Sequence, residues 1–179
     1  MSKPTKVPGF DCAVVAVEHV TTPRTVAFVA HCRKLQGDRV LPRWADLRLH
    51  ELDPEMIPYV AVADVAAEPR SFTYRFWGTG HTRLKGVDLT RQQVSEIPAT
   101  ALAEIGHRQY EMVLEQRKPL VFVHKLSHYE QWKPYIQVTA RVPFSENGST
   151  VDKIVSYSNF DEDREKWTKV YDEVVVGNA

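Results

Sequence analysis

The segment from Tyr135 to Pro143 constrains the fold most strongly, because its apolar and polar side chains alternate. A period of two predicts a β-strand with one dry face and one wet face. The apolar members are Ile136, Val138, Ala140 and Val142, and the polar members are Gln137, Thr139 and Arg141. A half-apolar strand of this kind is typical of an antiparallel sheet whose apolar face packs against other elements.

Four further segments are predicted to be strands of that sheet. Ile57 to Val65 and Ser71 to Gly78 form a hairpin around a proline-containing turn. After the helical middle of the chain, Leu120 to Ser127 and Val151 to Asn159 flank the alternating strand. Asn-Gly in the last connection is a turn signal, so these three strands form a meander.

Three helices are predicted around the strands. The first begins at Pro23, with Thr22 as its cap, and ends at Gly37. The second follows Pro98 and ends near Arg117, before a proline that cannot continue it. The third runs from Asp161 to Val176, with one apolar side formed by Trp167, Val170, Tyr171 and Val174.

This element order predicts an α+β fold in which the hairpin and the meander join into one five-stranded antiparallel sheet with helices across one face. Residues 1–40 form a tail and a flanking helix, residues 41–160 the central domain, and residues 161–179 a C-terminal helix. That last helix either covers the sheet of its own chain or pairs with a second copy or a signalling partner. We therefore expect a homodimer or a partner contact through the flanking helices.

The charge balance indicates which partners to expect. The sequence has 23 Lys and Arg against 23 Asp and Glu, so it lacks the basic surface that nucleic acid or an anionic membrane would attract. No apolar run approaches the length of about 20 residues that a spanning helix needs. Cys12 and Cys32 form no Cys-x-x-Cys pair. These features predict a cytoplasmic protein with reduced thiols, no nucleic-acid partner and no membrane partner.

Three motifs occur in order: Leu41-Pro-Arg-Trp-Ala-Asp, Tyr74-Arg-Phe-Trp-Gly-Thr and Gly86-Val-Asp-Leu-Thr. Together they resemble a family of PAS-like proteins common in alphaproteobacteria, over roughly residues 35–157. The resemblance implies a sheet-and-helix cup that holds a small molecule, a cofactor or nothing, and that passes changes of state to flanking helices. It implies a non-catalytic sensory or interaction module and identifies no particular cofactor. Trp77, bulkier than that motif usually carries, either lines or fills the cup.

Aromatic and polar side chains cluster in the predicted cup, where a small ligand would need apolar walls and a few directed polar groups. The same cluster also suits an ordinary packed core. An inward-facing Arg75 would favour an anionic ligand, whereas an outward-facing one needs only water. The candidate ligand-binding residues are Tyr74, Arg75, Trp77, Tyr110, Phe122 and His124.

The sequence does not favour three other chemistries. His124 and His128 have a zinc-like spacing, but on a strand these residues are about 13 Å apart, so no metal site is predicted. His107 is a candidate axial ligand of a heme, against the simpler interpretation of a half-buried helix residue. The enzyme alternative is a ketosteroid-isomerase-like cup with Asp64 and Tyr74 transferring protons.

Overall fold

The computed structural model describes residues 3–98, 100–126, 135–160 and 162–177, and the strands among them form one antiparallel sheet. The spatial order of the strands is β1-β2-β5-β6-β7-β3-β4. The strands are β1 (Thr5–Lys6), β2 (Cys12–Val15), β3 (Val60–Ala67), β4 (Arg70–Trp77), β5 (Leu120–Leu126), β6 (Tyr135–Phe144) and β7 (Lys153–Phe160). The predicted hairpin is β3–β4 and the predicted meander is β5–β6–β7.

The described residues include four α-helices beside the sheet: α1 (Pro23–Gln36), α2 (Thr79–Lys85), α3 (Thr100–Gln116) and α4 (Arg164–Tyr171). The predicted limits of α1 are confirmed, because proline suits the first helical turn and Gly37 adopts a φ of 55° at the end. Thr22 does not cap α1 with its side chain; its hydroxyl contacts α4 instead. The C-terminal helix begins later than predicted, and its predicted first residue lies outside the described residues.

The predicted count of five strands is wrong, because β1 and β2 add two strands to the sheet. β2 pairs with β5, placing Cys12 opposite His124 and Val15 opposite Val121. β2 has only four residues, nearly all of them buried, so it shows no alternation from which a strand could be recognised. Part of the predicted N-terminal tail therefore extends the same sheet.

Helices cover both faces of the sheet, which corrects the prediction of helices across one face. The chain has two apolar cores, one on each side. α1 and α4 contribute Phe28, Cys32 and Trp167 to the first core, and α3 contributes Tyr110 and Val113 to the second. The apolar side of α4 thus packs on the sheet of its own chain, the first of the two alternatives predicted for this helix. The homodimer or partner contact through the flanking helices stays a prediction.

No helix in the described part of the chain is both long and apolar enough to cross a bilayer.

Candidate functional site

A cavity of about 300 Å³ lies between α3 and the sheet, on the side opposite α1 and α4. Its floor is formed by side chains of β4, β5 and β6, and its walls by α3 and by the chain that follows α2. The lining residues that carry polar groups are Tyr74, Trp77, Lys85, Gln109, His124, Gln137 and Arg141. Leu89, Ile97, Leu102 and Ile105 supply most of the apolar wall.

The polar face of β6 forms the floor of this cavity. Gln137, Thr139 and Arg141 expose only 4, 1 and 7% of their surface, although the alternation predicted that this face would be wet. The difference arises because β6 is the central strand and α3 covers the polar face. Buried polar groups require partners, so the face is organised by hydrogen bonds between neighbouring strands and α3.

Arg141 is fixed by two elements that flank it. Its Nε and Nη2 donate to Gln109 Oε1 at 3.1 and 2.8 Å, and its Nη1 donates to Ser156 Oγ at 2.8 Å. Its guanidinium carbon lies 4.1 Å from the centroid of the Tyr110 ring, a cation–π contact. Gln109 is oriented in turn by donating its amide to Cys12 Sγ at 3.4 Å.

His124 and Gln137 face each other across β5 and β6. Gln137 Nε2 donates to Thr139 Oγ1 at 2.9 Å and to Ser158 Oγ at 3.1 Å. Gln137 Oε1 and His124 Nδ1 are both buried, and neither atom forms a hydrogen bond of good geometry, although the Gln137 side chain is close enough to His124 to favour its protonated form. Orphaned buried polar atoms are rare in folded proteins, and a bound ligand or water is the usual reason for them.

Trp77, the last residue of β4, and Lys85, the last residue of α2, both line the cavity. Trp77 Nε1 donates to the Val87 carbonyl oxygen at 3.2 Å, which holds the indole against the wall. The ring packs edge-on against Tyr74, with 4.7 Å between centroids, and Lys85 Nζ lies 5.6 Å from the indole centroid. Trp77 therefore lines the cavity and leaves its volume open.

The cavity disfavours positive charge on its titratable side chains. Burial lowers the pKa of His124 from 6.5 to about 3, and the charges of Lys85 and Arg141 act in the same direction. Burial, followed by the charge of Arg141, lowers the pKa of Lys85 from 10.5 to about 8. Burial also raises the pKa of Tyr74 well above its usual range. At neutral pH, His124 and Tyr74 are therefore neutral and Lys85 is largely protonated.

Of the six predicted ligand-binding residues, Tyr74, Trp77 and His124 line the cavity. Tyr110 lies behind Arg141, and Phe122 is fully buried in the same core without lining the cavity. Arg75 points to the other side of the sheet, where its Nε donates to Asp64 Oδ1 at 2.8 Å. The inward-facing Arg75 that would have favoured an anion does not occur.

Sequence reasoning missed Lys85, Gln109, Gln137 and Arg141. The alternation of β6 already predicted that Gln137 and Arg141 share one face. They were not predicted as ligand-binding residues because that face was expected to be exposed to solvent. Gln109 lies on the same helix as the candidate His107. Lys85 carries no signal of its own in the sequence.

The alternative chemistries receive no support from the geometry. His107 is half-exposed on α3, where its ring lies 5.1 Å from Phe72, and it does not line the cavity. His128 lies outside the described residues, and no group of three or more metal-binding side chains occurs among those that are described. Neither Cys12 nor Cys32 lines the cavity.

Asp64, the acid or base of the enzyme alternative, also lies outside the cavity. It is part of an ion-paired cluster, with its Oδ1 2.8 Å from Arg75 Nε and 3.4 Å from Lys153 Nζ. Its side chain is about one-third exposed. The ketosteroid-isomerase-like arrangement with Asp64 and Tyr74 in one pocket is therefore not present.

Comparison with solved structures places this fold beside that of a light-oxygen-voltage receptor described as RNA-binding. The match has a TM-score of 0.52 and 10% sequence identity, and it covers 94% of this chain and 43% of the receptor chain. The chain thus spans less than half the length of that receptor. The likeness confirms a PAS-like α+β fold. No protein-family model and no curated protein matches the sequence.

Proposed function

We propose that this chain is a non-catalytic sensory module of the PAS-like family that holds a small molecule in the cavity between α3 and the sheet. The observation that carries the proposal is the pair of orphaned buried atoms, Gln137 Oε1 and His124 Nδ1, in residues that line a cavity of about 300 Å³. A packed core leaves little such volume. Other buried atoms, such as Thr25 Oγ1 and His81 Nδ1, are also unpaired, but only Gln137 and His124 among these residues line the cavity.

The titratable groups of the cavity support binding more than chemistry. Tyr74 and His124 both remain neutral near pH 7, and burial makes His124 a weak base, with its pKa near 3. A general base is most effective when its pKa lies near the operating pH. The described residues that line the cavity include no carboxylate that could take that role.

The sheet offers a route from the cavity to the flanking helices. β6 presents Gln137, Thr139 and Arg141 to the cavity side, while its alternate residues belong to the core that α1 and α4 cover. A ligand that moves β6 would therefore change the packing of both flanking helices. This is the means by which we propose that ligand occupancy reaches a partner.

The test of the proposal is to recover the ligand. The protein is first purified in its folded state from the cells that express it. It is then denatured, and the small molecules that it releases are identified by mass spectrometry. We expect one compound in stoichiometric amount, recovered chemically unchanged after incubation. Leu102 is half-buried and lines the cavity, so the larger side chain of Leu102→Trp should fill the cavity and abolish binding of the compound. Leu114 is half-buried on the same helix but does not line the cavity, so Leu114→Trp should retain the compound.

An empty wild-type protein, or equal retention by both tryptophan variants, would contradict a cavity ligand. A compound that is consumed during incubation would instead indicate an enzyme.

The balanced charge of the chain is our reason for proposing no nucleic-acid partner. The RNA binding described for the similar receptor makes this worth a direct test. A gel-shift titration with RNA at low salt should show no complex. A complex that weakens steeply with added salt would identify phosphate contacts and overturn this part of the proposal.

A further inference from the structure

We propose that the cavity selects a small organic carboxylate, bound by Arg141 and Lys85. This inference rests on the proposed function, since it names the class of ligand for the same cavity. It goes beyond that function because an uncharged or cationic ligand would equally satisfy a sensory role.

The first argument is charge. The residues described as lining the cavity include two cations, Lys85 and Arg141, and no carboxylate. Neither cation forms an ion pair within the described part of the chain, whereas the nearby carboxylate of Asp64 is paired on the other side of the sheet. Arg141 is almost completely buried and Lys85 is half-buried, and a cation that is withdrawn from water without an anion is costly, so a bound anion would relieve that cost.

The second argument is the hydrogen-bonding capacity of Arg141. A guanidinium has five N–H donors in a planar fork. Hydrogen bonds to Gln109 and Ser156 use three of them. The remaining donors belong to a side chain that lines the cavity, and a planar carboxylate is the acceptor that an arginine fork matches best among small organic groups.

The contact of Arg141 with Tyr110 offers a simpler interpretation, in which the arginine only braces the core. A cation–π contact stabilises the charge through the ring face but accepts no hydrogen bond from the N–H groups. Lys85 Nζ has a similar but longer contact, 5.6 Å from the centroid of the Trp77 indole, and this contact likewise accepts no hydrogen bond from the ammonium. The two cations together therefore favour an anionic ligand.

The third argument is the size and polarity of the walls. A volume of about 300 Å³ corresponds to about ten water molecules, so a dinucleotide is too large. Besides the two cations, the lining contains the apolar side chains Leu89, Ile97, Leu102 and Ile105. A carboxylate with a compact apolar body fits a cavity that combines cationic and apolar side chains. A free inorganic anion would leave the apolar side chains without a contact.

Three probes of nearly equal shape isolate the charge: benzoate, benzamide and benzylammonium. Binding of each to the ligand-free protein is measured by calorimetric titration at one salt concentration. We expect benzoate to bind at least about tenfold more tightly than benzamide, and benzylammonium not to bind. Inorganic phosphate, measured in parallel, should bind more weakly than benzoate.

Two variants assign the preference to its residues. Arg141→Met keeps about the length of the aliphatic stem and removes the charged group, and it should reduce the affinity for benzoate at least about tenfold and that for benzamide by less. Lys85→Gln leaves the hydrogen bonds of Arg141 intact, so it tests the charge even if Arg141→Met fails to fold. Arg33→Met, at an exposed arginine of α1, is the matched control.

Equal affinity for benzoate and benzamide, tighter binding of benzylammonium, or unchanged benzoate binding in both cavity variants would overturn carboxylate selection. So would the absence of binding by any probe at millimolar concentration. If the compound recovered from the native protein is uncharged and Leu102→Trp loses it, the cavity still has a ligand and only the carboxylate inference fails. If nothing is recovered and no probe binds, both proposals fail.

Discussion

Trp167 Nε1 donates a hydrogen bond to Thr22 Oγ1 at 2.8 Å, joining α4 to the start of α1. Both residues are almost completely buried. The Thr22 hydroxyl in turn donates to Asp163 Oδ2 at 2.9 Å. The two flanking helices, far apart in sequence, are therefore joined through the buried Thr22, and Lys166 Nζ adds an exposed hydrogen bond to Thr21 Oγ1.

Thr22→Val should lower the free energy of unfolding by about 1–3 kcal/mol, because the isosteric side chain leaves the buried indole N–H without an acceptor. Urea unfolding monitored by circular dichroism measures this loss. Thr79→Val, at an exposed threonine away from α1 and α4, should change the stability by less than about 0.5 kcal/mol. Equal effects at the two positions would argue against the coupling.

Gly78 is required by close contact with the turn before β3. A Cβ atom at this position would lie 2.2 Å from the Pro58 carbonyl oxygen, closer than any real contact. Gly78→Ala should therefore cost more than about 2 kcal/mol of unfolding free energy, because backbone must move to admit the methyl group. Thr79→Ala, at the exposed next residue, should be close to neutral in the same denaturation assay.

Most of the fold could be predicted because its elements carry clear local signals. Pro23 and Gly37 mark the limits of α1, and the proline-containing turn marks the β3–β4 hairpin. β1 and β2 could not be predicted, because a strand of two to four residues is stabilised by its neighbour rather than by its own pattern. The pairing of β2 with β5 is a long-range contact that local signals do not contain.

The site was predicted less completely, for a different physical reason. Aromatic residues such as Tyr74 and Trp77 were identified from composition, which is similar in cores and in pockets. Arg141 was missed because alternation specifies two faces but does not specify which is covered. Arg75 was a candidate because the sequence does not show which face of the sheet its side chain occupies. Its hydrogen bond to Asp64 shows that it lies on the face away from the cavity.

The two buried histidines should make the protein sensitive to acid. Burial lowers the pKa of both His81 and His124 from 6.5 to about 3. Between these values the unfolded chain binds protons that the folded chain excludes, so stability falls as the pH drops from 6.5 towards 3. Each histidine contributes a slope of up to about 1.4 kcal/mol per pH unit.

Urea unfolding at several pH values measures this slope. His124→Gln should remove about half of the histidine contribution, while His50→Gln, at an exposed position, is the control. An unchanged slope in His124→Gln would show that this imidazole is accessible to protons in the folded protein.

Benzoate binding should weaken as Lys85 loses its proton. The pKa of Lys85 is lowered to about 8, so the ammonium is mostly charged at pH 7 and mostly neutral at pH 9. The other titratable groups facing the cavity, Tyr74, His124 and Arg141, keep their charge states across this range. The affinity should fall by up to about tenfold. Lys85→Gln should show a flat profile in the same titrations, and a profile like that of the wild type would exclude Lys85 as the cause.

Gln109 and Arg141 should make strongly coupled contributions to the free energy of unfolding. Gln109→Leu removes the acceptor of two Arg141 donors and leaves the cation buried, so it should cost about 1–3 kcal/mol. Arg141→Met removes the cation and leaves the amide oxygen of Gln109 without its donor. The double variant replaces both partners by apolar side chains, so it should be more stable than the sum of the single losses predicts, by about 1–3 kcal/mol. Chemical denaturation of the four proteins gives this difference directly.

Additive losses would mean that Arg141 is stabilised by Tyr110 and Ser156 alone, and that α3 does not hold the arginine in place for a ligand.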